Sequence, residues 1–151
     1  MTIKEQIQLD FIEAVKSKNE SAKLALSGIK SKITEAEKVN NTELTEAEVI
    51  SIINKGIKQR KESQEIYLSS NRFDLAAKEW DEIQVIKKYL PAQLLDTEVI
   101  VICTEIVSDI KVSNPNLPTQ AIIGKSIGEF NKKYQGRADS SWVKTVISKL
   151  V

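Results

Sequence analysis

Apolar residues recur every three or four positions along almost the whole chain, which is the spacing of one buried helix face. The first predicted helix carries the stripe Ile3, Ile7, Phe11 and Val15. Thr2 and Glu5 fit a capping box at its start. Asn19 is the predicted cap of a second helix, whose inward face reads Ala22, Leu26, Ile29, Ile33 and Ala36.

A second capping box, Thr45 with Glu48, opens a third predicted helix that runs to about Ser70. Its inward face is predicted to hold Val49, Ile52, Ile53, Gly56, Ile57, Gln64, Tyr67 and Leu68. Asn71 is a break, and a fourth helix is predicted from Arg72 to Leu90. Its inward residues are predicted to be Leu75, Ala76, Trp80, Ile83, Ile86 and Leu90. Pro91 ends it, because a residue before proline is driven out of α geometry.

Three further helices are predicted after Pro91. The β-branched run Val99 to Ile102 is partly typical of a strand, but the four-residue spacing continues through Ile106 and Ile110 and favours a helix. Residues 113–118 predict a loop, and the last two helices bury Ile123, Ile127, Phe130, Tyr134, Trp142, Val143, Val146, Ile147 and Leu150. The predicted fold is all-α, with an N-terminal helical bundle of about four helices (1–91) and a small three-helix C-terminal tail domain (92–151).

The composition narrows the chemistry. The chain has 151 residues, 41% hydrophobic and 28% charged, with one cysteine and no histidine. Without histidine, the usual general base at neutral pH and the commonest zinc ligand are missing, and no cofactor or metal is expected. Cys103 lies in an apolar run and is interpreted as a buried small side chain. No secretory signal or membrane-spanning run is predicted, so a cytoplasmic protein without membrane contact is expected.

Positive charge gathers near the C-terminus. Residues 118–151 hold six cationic and two acidic side chains, a net charge of +4, whereas residues 1–117 carry −3. Within this segment Gly136 is predicted to end one helix in the left-handed conformation, and Asp139 to cap the next. Three cationic side chains surround this turn, which suits a phosphate backbone.

Two glycines inside a predicted helix need a reason. Gly124 and Gly128 lie one turn apart, and each costs about 1 kcal/mol relative to alanine. Such spacing indicates a face that something approaches closely. We interpret it first as contact with a neighbouring helix of the same domain, and second as contact with an RNA backbone.

These residues resemble the tail motif of the GatB/YqeY family. The motif comprises Gly124, Lys125, Gly128, Lys132, Lys133, Gly136, Arg137, Ala138 and Asp139. The resemblance extends upstream through Lys55, Ile57, Lys58, Gln59, Arg60, Glu62, Ser63, Asp74, Leu75, Ala76, Glu79, Glu82, Ile83, Val85, Ile86 and the run Tyr89 to Leu94. Three positions depart from the family pattern. Ser27 and Gly28 replace an arginine and a bulky apolar residue, Leu95 stands at a cap position and leaves Asp96 as the expected cap, and Ser140 replaces a glycine.

The resemblance implies an association with tRNA amidation or aminoacylation. In the B subunit of the glutamine-dependent amidotransferase, a carbon–nitrogen ligase, the family's tail approaches tRNA while other modules do the chemistry. It therefore implies an accessory module without catalytic activity of its own. Its expected contacts to tRNA phosphates are Lys125, Lys132, Lys133, Gly136 and Arg137.

Two other functions stay open from the sequence. The chain could be a protein adaptor that docks onto an aminoacyl-tRNA synthetase or amidotransferase through Lys58, Gln59, Arg60 and Glu62 of the third helix, a set that also fits an ordinary solvated face. An enzyme would need paired carboxylates or a lysine of lowered pKa, and no spacing selects such a pair. The cationic residues near the C-terminus could likewise be a plain solvated face.

Overall fold

The computed structural model describes residues 1–151 and confirms the all-α prediction. Its seven helices are α1 (Ile3–Lys16), α2 (Glu20–Asn40), α3 (Glu46–Ser69), α4 (Phe73–Lys87), α5 (Asp96–Ser113), α6 (Thr119–Tyr134) and α7 (Ser140–Leu150). They form two compact units, Met1–Leu90 and Pro91–Val151. No helix combines the length with the apolar character that is needed to cross a membrane.

The helix starts follow the local sequence signals. Thr2 Oγ1 accepts from the backbone N–H of Glu5 at 3.1 Å, and the Glu5 carboxylate accepts from the Thr2 N–H at 2.9 Å. Thr45 and Glu48 make the same reciprocal pair at α3. Asn19 Oδ1 accepts from the N–H of Ala22 at 3.1 Å. These three predicted caps are confirmed, because each satisfies backbone donors that the first helical turn leaves unpaired.

The first unit is built around one apolar core. Its buried residues are Ile7, Ala25, Leu26, Ile29, Ile33, Val49, Ile53, Ile57, Ile83, Ile86 and Tyr89. Three-residue connections join α1 to α2 and α3 to α4, and Lys18 and Asn71 adopt left-handed backbone there, each with φ 58°. The break predicted at Asn71 is confirmed, and such short connections fold successive helices back on each other.

Three residues predicted to face this core do not. Trp80 is 52% exposed, and Val15 and Leu68 are both 47% exposed. Each lies at the margin of an apolar arc whose centre is covered by neighbouring helices. The arc that a sequence pattern marks is wider than the surface those helices cover, so its edge stays in solvent.

An arginine side chain lies between α2, α3 and α4. The Arg60 side chain is 17% exposed, its Nε lies 3.7 Å from a Glu82 carboxylate oxygen, and its Nη1 donates to the Gly56 carbonyl at 3.1 Å. A Cβ added to Gly28 or Gly56 would lie 3.2 Å from a guanidinium nitrogen of Arg60. The glycine at position 28, a departure from the family pattern, therefore leaves room for this guanidinium.

The second unit has its own core between α5, α6 and α7. Its buried apolar residues are Val99, Cys103, Ile106, Val107, Ile122, Phe130, Val143, Val146 and Ile147. The β-branched run at its start lies in helix α5, as the continued spacing predicted. The prediction that Asp96 caps this helix is wrong. Leu95 occupies the cap position without a side-chain hydrogen bond, and Asp96 is the first helical residue, where its charge still favours the helix N-terminus.

A polar contact ties the end of α4 to α1. The hydroxyl of Tyr89 donates to the carboxylate of Asp10, and Lys88 Nζ lies 3.6 Å from the same carboxylate. Burial raises the pKa of Asp10, but hydrogen bonds from Tyr89 and Gln6 and the charge of Lys88 outweigh it and hold the pKa below its ordinary value of 3.8. Burial and the Asp10 hydrogen bond raise the pKa of Tyr89.

Replacing Tyr89 by phenylalanine is expected to lower the free energy of unfolding by about 1 kcal/mol at pH 7. The value lies below the range of about 1.5 to 3 kcal/mol for a bond to a charged group, because the Asp10 side chain is still 26% exposed and water can replace part of the bond. The carboxylate form of Asp10 accepts this bond, so the loss is full above pH 3.8 and shrinks as the pH falls through the lowered pKa of the folded state. Urea unfolding at pH 7 and at about pH 2.5 measures it. An equal loss at both pH values would contradict the assignment.

Candidate nucleic-acid interface

The turn between α6 and α7 has the predicted geometry. Helix α6 ends at Tyr134, and Gly136 then adopts left-handed backbone with φ 76°. A residue with a Cβ is strained in that conformation. Asp139 Oδ1 accepts from the N–H of Ser141 at 2.8 Å and caps α7. Asp139 therefore takes its predicted role as a cap. Gly136 has the predicted left-handed backbone, but it lies in a β-turn after α6, because Gln135 is already extended (ψ 129°) and the Arg137 N–H donates to the Tyr134 carbonyl at 3.0 Å.

Hydrogen bonds tie this turn to the segment that precedes α5. The Gly136 carbonyl accepts from Gln93 Nε2 at 2.7 Å, and the Arg137 carbonyl accepts from the Leu94 N–H, also at 2.7 Å. Arg137 Nε donates to the Ala92 carbonyl at 2.9 Å. The turn is thus fixed within its own unit, and the Gln93 amide has a structural role there.

Arg137 is only partly available to a ligand. It is half-buried, one guanidinium N–H is taken by the Ala92 carbonyl, and the guanidinium lies 5.8 Å from the centre of the Tyr134 ring. It makes no ion pair within 4.0 Å, and its two terminal amino groups have no hydrogen-bond acceptor in the protein. The guanidinium therefore holds the turn with one nitrogen and can present the others.

The three predicted lysines are exposed and unpaired. None of Lys125, Lys132 and Lys133 lies within 4.0 Å of a carboxylate, and the ion pairs of the protein all involve residues before Pro91. Lys125 and Lys132 are seven residues apart on α6, so they share one face about 10 Å apart along the axis. Lys133 lies about 100° further round the helix. The structure therefore brings Lys125 and Lys132 together and directs Lys133 to another side.

Around α6, Gly128 lies within about 60° of both Lys125 and Lys132 and Gly124 within about 100°, so the two glycines form a strip next to the lysines. Both are exposed, and a Cβ added to either would meet no atom within 4 Å outside the helix's own backbone. The preferred interpretation, that they admit a neighbouring helix of the same domain, is wrong. They leave a strip of bare helix backbone beside two cationic side chains. The sequence marked the glycine positions, but their exposure depends on where α5 and α7 pack.

The cationic groups of this surface suit the binding of anions. Its polar groups are ammonium, guanidinium and backbone groups, none of which supplies a nucleophile here. Cys103, the one thiol of the chain, is fully buried, and burial raises its pKa, so little thiolate forms. No group of three or more cysteine, aspartate and glutamate side chains lies close enough to hold a metal ion.

The surface on α3 that we considered for an adaptor is smaller than the sequence indicated. Arg60 belongs to the ion pair with Glu82 inside the bundle, so it is withdrawn from any docking surface. Burial, and then the charge of Glu82, raise the pKa of the neighbouring Glu79. Because these three groups partner one another between helices, we assign them to the structure of the bundle.

Comparisons with known proteins converge on one family. A family profile described as Yqey-like protein matches residues 4–151. The chain is 38% identical over 95 residues to altered inheritance of mitochondria protein 41, mitochondrial, of Lachancea thermotolerans, a match that covers 61% of this chain and 49% of that protein.

Two further relatives show the same likeness. The protein of the same name from Candida glabrata is 31% identical over 127 residues, which cover 79% of this chain and 68% of that protein. A Schizosaccharomyces pombe protein described as uncharacterized is 31% identical over 85 residues, 56% of this chain and 69% of that protein. The chain spans about half the length of the Lachancea relative and about two thirds of the other two.

Proposed function

The chain belongs to the YqeY-like protein family, and on this premise we propose that it is an accessory module that binds the phosphate backbone of tRNA. The proposed contact residues, all in its second unit, are Lys125, Lys132, Lys133, Gly136 and Arg137. The module supplies binding and no bond-making groups. Any link to carbon–nitrogen ligation with glutamine as amido donor would then be through a partner enzyme.

One observation carries the proposal: the open glycine strip lies beside two exposed, unpaired lysines. Gly124 and Gly128 each cost the helix about 1 kcal/mol relative to alanine, and no packing contact in their unit offsets that cost. A phosphate backbone could approach the bare helix surface there. Lys125 and Lys132 beside it would meet its charge, as lysine commonly does at nucleic-acid backbones.

The remaining residues have separate roles in this proposal. Gly136 sets the direction of the turn, and Arg137 offers the guanidinium nitrogens that Ala92 leaves free. Lys133, on a different side of α6, would reach a second phosphate or none. Since these contacts read phosphate and not base, the binding is expected to discriminate little between RNA sequences. A cytoplasmic location belongs to the proposal, although the names of the yeast relatives place those proteins in mitochondria.

The test is a salt titration of tRNA affinity with two charge-reversed variants. Lys125→Glu/Lys132→Glu is expected to lower the slope of log K against log salt by about 2, because each lost phosphate contact removes about one unit. Its affinity at low salt should fall at least about tenfold. The control, Lys144→Glu/Lys149→Glu, makes the same charge change on exposed positions of α7 and should keep a slope near that of the unmodified protein.

Two results would contradict the proposal. Equal losses in both variants would mean that only net charge attracts RNA. Unchanged affinity in the α6 variant would remove its lysines from any RNA contact, and the adaptor function would take precedence. A different surface favours the adaptor alternative. Phe73 and Trp80 lie seven residues apart on α4, so they share one helix face, and they are 62% and 52% exposed.

A further inference from the structure

A groove in the first unit is lined by residues of α1 and α2. It lies between α1 and α2, opens to solvent and encloses about 460 Å³, within the range of small-ligand sites. Three hydroxyls line it, those of Ser27, Ser31 and Thr34. These positions follow the i, i+4, i+7 spacing of a single helix face, so the hydroxyls form one row along α2.

Two lysines complete the lining from the same helix. Lys30 and Lys38 have no carboxylate within 4.0 Å, and the Lys30 ammonium lies 4.1 Å from the centre of the Phe11 ring on α1. That contact holds the ammonium at the wall of the groove and leaves its charge without a counter-ion. Glu35 is the single acidic residue of the lining, and its carboxylate lies 3.4 Å from Lys32 Nζ, which offsets its charge.

The hydroxyls are also without partners in the protein. None of the three hydroxyls makes a hydrogen bond to another group of the protein. On other helices, by contrast, the hydroxyls of Ser69, Thr104 and Thr145 each donate to the carbonyl four residues earlier. Free hydroxyl donors beside free ammonium groups are the set that proteins use to hold phosphate oxygens. The lining has one carboxylate, that of Glu35, and so lacks the convergent carboxylates that a cationic ligand would need.

We propose that the α1–α2 groove binds a phosphate group, with Lys30 and Lys38 meeting its charge and the hydroxyl row meeting its oxygens. The phosphate could come from a free nucleotide or from an RNA strand. The chemistry at the protein is the same in both cases. The site goes beyond the tRNA contacts proposed above, because no residue of the second unit takes part in it.

The experiment is an amide chemical-shift titration of the full chain with three probes: inorganic phosphate, adenosine monophosphate and a six-nucleotide single-stranded RNA. The expected result is shifts at residues 27–38 with at least one probe. Lys30→Gln/Lys38→Gln should weaken that binding at least about tenfold, since two charge-assisted contacts are lost. Lys16→Gln/Lys61→Gln removes the same charge from exposed lysines outside the lining and should leave the affinity within about twofold.

Each outcome separates this site from the tRNA surface. Groove shifts with the mononucleotide support a free nucleotide as the source, and groove shifts with RNA alone support a strand. Shifts at residues 124–137 with none at residues 27–38 would overturn the groove and leave the tRNA proposal standing. Shifts at neither place would overturn the groove, and the tRNA titration described above would still decide the other surface. Equal weakening by the two double variants would also overturn the groove, because plain charge would then account for binding.

Discussion

Replacing Phe130 by alanine is expected to remove much or all of the stability of the second unit. Phe130 is 2% exposed, and its ring packs against Tyr134 with centroids 5.3 Å apart. Deleting such a ring costs about 3 to 5 kcal/mol. A unit the size of Pro91–Val151 has a total stability of about 3 to 9 kcal/mol at ordinary values per residue, so the loss takes much or all of it.

The two tryptophans make the measurement specific. Trp142 lies in α7 of the second unit and Trp80 in α4 of the first, so Trp142 fluorescence in a Trp80→Phe background reports the second unit alone during urea unfolding. Phe73→Ala is the control, because it removes a phenyl ring from a position that is 62% exposed. It should change the free energy of unfolding by no more than about 0.5 kcal/mol. An unchanged unfolding midpoint for Trp142 in Phe130→Ala would show that Phe130 is not the centre of this core.

Replacing Gly124 and Gly128 together by alanine is expected to stabilise the second unit by about 2 kcal/mol while weakening its binding to tRNA. The stabilisation follows because alanine favours the helix by about 1 kcal/mol per site and neither added Cβ meets another atom within 4 Å. The loss of affinity follows because two methyl groups would hold a phosphate backbone away from the bare helix surface. Urea unfolding and a tRNA titration on the same preparation measure both changes.

The opposite signs make this pair informative. Gly136→Ala is the matched control, because its left-handed backbone (φ 76°) penalises a Cβ and should reduce stability by about 1 kcal/mol. Destabilisation by the Gly124 and Gly128 replacements would mean that these glycines pack against protein. Stabilisation with unchanged tRNA affinity would mean that the glycine strip is not where RNA approaches, and the tRNA proposal would lose the observation on which it rests.

In the first unit, local sequence signals were sufficient to predict the helix caps but not the extent of the core. The caps at Thr2, Asn19 and Thr45 act within three residues of themselves, so the hydrogen bonds they make could be predicted from the local sequence. Trp80 was wrongly placed in the core. Periodicity identifies the apolar side of α4, but how far α2 and α3 extend over that side depends on packing between distant segments.

The candidate site likewise contains residues whose roles the local sequence predicts and residues whose contacts it does not. Gly136 and Asp139 were predictable, because a left-handed turn residue and an N-cap are local structures. The hydrogen bond from Arg137 to Ala92 spans 45 residues of sequence, and no spacing rule indicates it. The groove along α2 was missed altogether, since Ser27, Lys30 and Thr34 look like an ordinary polar helix face until Phe11 is placed opposite them.

By itself the sequence determined the seven helices, most of their ends and the cationic character of the final turn, because hydrogen bonds and side-chain spacing within a few residues decide those features. Only the tertiary structure decided which parts of each helix are covered. It left Gly124 and Gly128 open and buried Arg60 against Glu82. Exposure is set by contacts between residues far apart in the chain, and it is exposure that turns a charged or glycine-containing helix into a surface that can bind.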